Sequence, residues 1–321
     1  MATAAPAPAR ETTQPTTLQR QRVREALAGY AFIAVPMAIF LVFNIGAIGF
    51  AAFISVFEWG VRAGPQEFVG IDNYTSALND PIFWKAVWNT TRYALIVVPV
   101  QMALGLFLAV IVNQKIRGQT FFRAAFYFPA IASSAAITVL FIFIMNPDGL
   151  FNGFRQAIGP FDIFGFLGIP ENHTWLFHSS TALESIMALN AWTTSGTMML
   201  FYLASLQTIS RETYEAAELD GANAWQTFWR ITFPLLKPGH YFVATVSFIG
   251  ALQVFDQAYI TGGPDGAPNN ALTTMVLFLV RNVTTVIDFD FAAAVGMILF
   301  VLIMLVTLLQ RRLFGAAPSW Y

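Results

Sequence analysis

Cysteine is absent from all 321 residues. That excludes a disulfide framework, a thiolate metal site and a cysteine nucleophile. Charge is scarce too. Charged residues make up 11% of the chain, where a soluble domain carries about 25%. With 56% hydrophobic residues and a mean hydropathy of +0.60, the deficit indicates a membrane protein before any motif is read. A net charge of −1 leaves no electrostatic footprint for nucleic acid. The three histidines, His173, His178 and His240, form no HExxH or other ligand pattern, so they read as loop or interfacial side chains. No GxxxxGK[ST] motif occurs, so the chain has no phosphate cradle and is not expected to hydrolyse ATP.

What is present is a series of long apolar runs. Residues 1–28 are rich in Ala, Pro, Thr and Gln, with Arg10, Arg20, Arg22 and Arg24, and read as a disordered tail. They lack the h-region and cleavage site of a signal peptide. Beyond them the pattern predicts an all-α polytopic membrane protein, with a permease domain over 29–313 and a short tail over 314–321. Six transmembrane helices are expected at about 30–53, 93–112, 121–145, 185–206, 241–260 and 291–309. Pro36 is the expected kink of the first. Residues 58–90 and 146–183 read as long loops, and 275–280 as apolar but too short to span.

Six crossings put both termini on one side. Loops assigned to that side carry twelve Lys or Arg, Lys115 among them, against five on the other, Arg62 included. The positive-inside rule therefore places both termini, and the segment between helices 4 and 5, in the cytoplasm.

That segment, Glu215 to Pro238, is charged and polar between two apolar runs. Asp220-Gly221 is a turn signal, because glycine tolerates a positive φ. Asn223 followed by Gln226 has the residues of a helix-capping box. Trp225, Phe228 and Trp229 then fall on one helix face. Short helix, sharp turn and second short helix with an aromatic face is the expectation.

Glu215-Ala216-Ala217, Gly221, Ile231 and Pro234 stand at the spacing of the EAA loop of binding-protein-dependent ABC importer permeases, which the chain resembles. It departs from the pattern once, at Phe233, where the family has Leu. The wider form, EAAxxDGA followed by tryptophans and ITxPLLxP, resembles the carbohydrate-importer branch. Phe68 to Tyr74 and Thr261 to Pro264 resemble the family's outer-loop turns.

The resemblance implies a subunit that forms half of a sugar pathway in the bacterial inner membrane. Its partners would be a second homologous permease, two ATPase subunits and an extracytoplasmic solute-binding protein. This chain would bind no cofactor; ATP-Mg would sit on the ATPase subunits. Glu215, Ala216, Ala217, Asp220, Gly221, Trp225, Phe228, Ile231 and Pro234 would form the ATPase-coupling element. The plainer readings are a solvated loop, and aromatics packed under the chain's own bundle.

A substrate pathway is expected on two polar strips, Asn190, Trp192 and Thr194 on helix 4 and Gln253, Asp256 and Gln257 on helix 5. Asn190, Thr194 and Thr197 share a face at i, i+4 and i+7, and Trp192 could stack on a sugar ring. Asp256 is the one acid well inside an expected span, though nearer the outer interface than the midplane. Interhelical hydrogen bonding is the plainer reading of such residues. A secondary solute transporter is the main competing function. It would normally need intramembrane ionisable residues and often repeated halves. A membrane enzyme would need a catalytic cluster that the sequence does not show. A lipid-embedded scaffold would leave the EAA spacing unexplained.

Overall fold

The computed structural model describes residues 16–60, 63–114 and 117–314. The expectations for residues 1–15, Arg62, Lys115 and 315–321 lie outside the described residues. Residues up to Phe53 form one unit and the rest a second.

The first unit is a continuous helix. It runs Thr16–Phe40, passes through a π-helical stretch at Leu41–Gly46 and ends with Ala47–Ile54. It thus begins inside the stretch expected to be disordered. The irregularity lies after Pro36, which stays within the α-helical part. Proline removes one backbone donor and crowds the preceding turn, and π-bulges are a usual way to absorb such faults.

The second unit opens on an antiparallel hairpin, Phe57–Gly60 with Gly64–Phe68. The turn that follows is pinned by two side chains. Asn73 Nδ2 donates to the Ser55 carbonyl at 3.1 Å, and the Tyr74 hydroxyl meets Ser55 Oγ at 2.7 Å. Helix Asp72–Asn79 and then helix Pro81–Asn113 follow. The long helix starts twelve residues before the expected Tyr93, because Asp80 caps it through the Ile82 amide at 2.7 Å. Its 33 residues span about 50 Å at 1.5 Å per residue, well beyond the roughly 30 Å of a bilayer core. Apolarity alone therefore misses its first turns.

The third expected span is broken. Helices Gln119–Ile131 and Ser134–Ile144 meet at 93°. Pro129 lies near the break, and Ser133 precedes the second piece. The fifth is broken too, into Lys237–Leu252 and Asp256–Gly262. Helix Met275–Arg281 is short, as expected, and Phe289–Phe314 closes the described chain. Four helices are long and apolar enough to cross a membrane, or five if the bent pair is one span. Helix Ala182–Leu206 has the length, at 25 residues, but Glu184, Asn190, Thr193, Thr194, Ser195 and Thr197 leave it too polar to count. The expected six are therefore not all present as apolar spans.

That polar helix is nonetheless the centre of the second unit. Three neighbours approach it at glycines. Gly105 of helix Pro81–Asn113 lies so close to Met198 that a Cβ would sit 2.5 Å from the Met198 Cβ. Gly239 meets Ser205 Oγ in the same way at 2.6 Å, and Gly196 meets the Phe126 backbone. Small residues at such crossings let helices pack closely where lipid supplies no hydrophobic drive. The central helix buries Ile186, Met199 and Tyr202 in the cores that result.

The stretch 146–183, expected as a loop, contains helices Leu150–Ile158 and Ile163–Phe166 and the first residues of the central helix. Arg155 holds it together. Its guanidinium is buried, pairs with Asp162 at 2.9 Å, donates to the carbonyls of Pro170 and Ile169 at 3.0 Å each, and lies over the Trp175 ring. The Arg155 hydrogen bond and charge hold the Asp162 carboxyl below the usual carboxylate range.

Candidate functional site

Two constructions stand out, one beyond the C-terminus of the central helix and one against its middle. The first follows its C-terminus. Helix Arg211–Leu219 is capped by Ser210, and Arg211 pairs with Glu215 at 2.8 Å on its exposed face. Ala216 is exposed and Ala217 is buried. The helix ends in a Schellman turn. The Ala222 amide donates to the Ala217 carbonyl and the Gly221 amide to the Glu218 carbonyl, both at 3.0 Å. Gly221 takes φ +74°, with open space where a Cβ would project. The glycine is required by backbone conformation, not by crowding.

The second short helix starts as its residues predict. Asn223 Oδ1 accepts from the Gln226 amide at 2.9 Å, and Gln226 Oε1 accepts from the Asn223 amide at 3.0 Å. Its helical path continues as a π stretch, Phe228–Thr232, and a last turn, Phe233–Leu235. Trp225, Trp229 and Phe233 form a ladder of rings 5.6 and 5.1 Å apart. Trp225 is 71% exposed, and Trp229 and Phe233 are exposed as well. Phe228 and Ile231 are half-buried, Asp220 and Pro234 exposed. The tryptophans therefore do not pack under the chain's own described bundle. The Thr232 hydroxyl donates to the Tyr214 hydroxyl at 3.3 Å and ties the two short helices together.

The element is also fixed to the helices that flank it. His240 Nε2 donates to the Phe233 carbonyl at 3.2 Å, and its Nδ1 faces the Tyr202 hydroxyl at 3.0 Å. In the neutral ring Nδ1 then accepts from Tyr202. This buried bridge joins the central helix, helix Lys237–Leu252 and the aromatic segment. Sequence reasoning missed it, because His240 alone carries no motif.

The second construction is a cavity of about 160 Å³ at the bend of helices Gln119–Ile131 and Ser134–Ile144. Asn190, Thr193, Thr194 and Thr197 of the central helix line it, facing Ser134 and Gln257. The Thr194 hydroxyl stands 2.7 Å from both Gln101 Oε1 and the Asn190 carbonyl, and can donate to one at a time. Gln257 Nε2 donates to Ser134 Oγ at 3.0 Å. The lining offers neutral donors and acceptors and no charge.

Of the six residues expected on a pathway, the structure brings three together here: Asn190, Thr194 and Gln257. The other three lie elsewhere. Trp192 points to another side of the central helix and packs on Phe141, 5.7 Å between centroids. Gln253 sits at the helix break and lines a different cavity with Gly296 and Phe300. Asp256 opens the helix Asp256–Gly262 and is exposed. The expected strip of Gln253, Asp256 and Gln257 assumed an unbroken helix. The break between Leu252 and Asp256 rotates these residues apart. Ser134, Thr193 and Gln101 were not anticipated as site residues. Thr193 neighbours the expected strip, but only the fold brings Ser134 and Gln101 to it.

Comparisons with known proteins agree with this architecture. Residues 101–316 match the family described as binding-protein-dependent transport system inner membrane component. The chain is 34% identical over 289 residues to the probable ABC transporter permease protein YurN of Bacillus subtilis, covering 89% of this chain and 95% of YurN. It is 33% identical to the arabinooligosaccharides transport system permease protein AraP of the same organism, covering 90% and 89%. It is 32% identical to the lactose transport system permease protein LacF of Rhizobium radiobacter, covering 88% and 92%. Among solved structures, a chain of a bacterial alginate ABC transporter in complex with an alginate-bound periplasmic protein superposes with a TM-score of 0.76. It is 19% identical, covering 91% of this chain and 95% of that one, a likeness of fold. The chain belongs to the family of inner-membrane permease components of binding-protein-dependent transport systems.

Proposed function

We propose that the chain is one of two permease subunits of an ATP-driven sugar importer, coupled to its ATPase through residues 211–235. The observation that carries this reading is the coupling element itself. It is a helix–turn–helix with exposed tryptophans, tied internally by Thr232 and Tyr214, hydrogen-bonded to His240 of helix Lys237–Leu252 and through His240 to Tyr202 of the central helix. A projection built in this way transmits movement of a docked partner to the bundle. Glu215 to Ala217 open the docking face, Gly221 makes the turn, and Trp225 with Trp229 supply apolar contact. Pro234 lies in the last turn before the membrane helix.

Support for a sugar comes from the relatives, whose names include arabinooligosaccharides and lactose. The cavity suits such a solute, since its amides and hydroxyls match a polyhydroxylated, uncharged molecule. In this reading the polar central helix crosses the membrane as the sixth span, shielded by its neighbours. Both termini and the coupling element lie in the cytoplasm. A second permease, two ATPase subunits holding ATP-Mg and an extracytoplasmic binding protein complete the assembly.

The test is ATPase activity of the reconstituted complex with its binding protein across a panel of sugars. Stimulation by one sugar or a related set supports the reading. Activity indifferent to every sugar, with uptake driven instead by an ion gradient, refutes it.

A further inference from the structure

Helix Leu150–Ile158 is amphipathic in the reverse of the soluble sense. Its buried residues are Asn152 and Arg155. Its exposed residues Leu150, Gly153, Phe154 and Ala157 fall at i, i+3, i+4 and i+7, on one face, with exposed Gln156 at its flank. The segment that follows is also apolar where it is exposed. Phe161, Ile163, Phe166 and Leu167 are all exposed, Phe166 at 92%. The only charges between residues 149 and 169 are Arg155 and Asp162, and both are buried against each other. The surface of this segment is therefore uncharged.

Its position is equally informative. Gly149 lies against the last turn of helix Ser134–Ile144. A Cβ at 149 would sit 2.5 Å from the carbonyl oxygens of both Phe143 and Ile144. The inverted helix therefore starts in contact with the end of a membrane helix, not at the tip of a long excursion. The water-facing groups of the loop lie elsewhere. Gln156 Nε2 donates to Asn172 Oδ1 at 3.0 Å on an exposed side, with Glu171, His178 and Ser180 exposed nearby in sequence.

We propose that the segment Gly149–Ile169 is a lipid-anchored collar. Its face of Leu150, Phe154, Phe161, Ile163, Phe166 and Leu167 inserts into the headgroup–acyl boundary of the membrane around the outer end of the bundle. The buried Arg155–Asp162 pair is what makes such a face possible, because it takes the segment's only charges out of contact with the lipid. Apolar insertion of this kind scales with buried area and, lacking cationic residues, gains nothing from anionic lipid. A protein-docking face would instead be enriched in Trp, Tyr and Arg, and none of these is exposed in the segment. The proposal rests on the membrane crossing of the flanking helices and not on what is transported.

The absence of cysteine makes the test direct. Single substitutions Leu150→Cys, Phe154→Cys, Phe166→Cys and Gln156→Cys carry a nitroxide in the assembled complex, with cysteine-free partner subunits, in phospholipid nanodiscs. Phe107→Cys and Leu305→Cys, exposed on helices Pro81–Asn113 and Phe289–Phe314, serve as membrane references. Collision with oxygen should exceed collision with a water-soluble nickel chelate at 150, 154 and 166, and the order should reverse at 156. The values should not change when anionic lipid is raised. Chelate access at 154 and 166 equal to that at 156 would overturn the proposal in favour of a water-exposed loop. Low access to both reagents would overturn it in favour of cover by another protein. Chelate access at 107 and 305 as well would refute the membrane crossing itself.

Discussion

Gly196 lies directly beneath the carbonyl of Phe126, so close that no Cβ fits between them. The contact brings helix Gln119–Ile131 onto the central helix, and the cavity lies between them, with Pro129 on one wall and Thr193 and Thr197 on the other. Replacing Gly196 with leucine forces the two helices apart. Overpacking of this kind costs about 1–3 kcal/mol. Gly196→Leu should lower the melting temperature of the purified complex and reduce uptake at least about tenfold, with Gly196→Ala intermediate. Wild-type uptake and melting in the leucine variant would contradict the role of this crossing.

Tyr202 and His240 carry the link from the aromatic segment to the central helix. Tyr202→Phe keeps the ring and removes the hydroxyl, at a cost of about 0.5–1.5 kcal/mol for one hydrogen bond. The expected result is a complex that assembles normally but transports fewer sugars per ATP hydrolysed. An unchanged transport-to-hydrolysis ratio would show that the bridge is structural only.

The exposed tryptophans should behave as binding anchors. Truncating a hot-spot residue costs about 2 kcal/mol or more, roughly thirtyfold in affinity. Trp225→Ala and Trp229→Ala should each weaken retention of the ATPase subunits on the permease pair in detergent. Glu212→Ala, an exposed change on the first short helix, should not approach that loss. Retention unaffected by either tryptophan change would move the docking face elsewhere.

Acid should loosen the collar. The Asp162 carboxyl titrates below its ordinary range because Arg155 donates to it, as do the Phe164 and Gly165 amides. A depressed folded value means that the stabilisation is complete above the ordinary carboxylate range. It is lost as pH falls through the folded value. Amide exchange across 150–169, corrected for intrinsic rate, should rise as pH drops through that window. In Asp162→Asn exchange should already be fast at neutral pH and show no such step. Arg155→Lys should not restore protection, since an ammonium cannot reproduce the planar set of contacts to Asp162, Ile169 and Pro170.

The parts of this structure that were legible in the sequence are those fixed locally. Asp220-Gly221 and Asn223 with Gln226 specify a turn and a capping box within a few residues of chain, and both form. Asn190, Thr194 and Thr197 share a face because their helix is unbroken, so their spacing located them correctly. The breaks at Ala132–Ser133 and Gln253–Phe255 were invisible, because an apolar run reports length and not continuity. One hint was present: Asp256 is an acid at the first turn of a new helix, where the dipole favours it. The early start of helix Pro81–Asn113 was hidden for a related reason. Asp80 and Pro81 are a cap and a first-turn proline, signals that a search for apolarity passes over.

The central claim is that residues 211–235 couple this permease to its ATPase, and Gly221 gives the most direct measurement. Its φ of +74° strains any side chain, and a Cβ there meets no atom of this chain within 4 Å. Gly221→Ala tests backbone strain alone, about 1–2 kcal/mol. Gly221→Trp adds bulk toward the docked partner. Uptake and binding-protein-stimulated ATPase should be measured together in proteoliposomes for wild type and both variants. Normal membrane insertion is expected in all three, with a modest defect in Gly221→Ala and loss of both stimulated hydrolysis and uptake in Gly221→Trp. Normal sugar uptake by Gly221→Trp would contradict the coupling role.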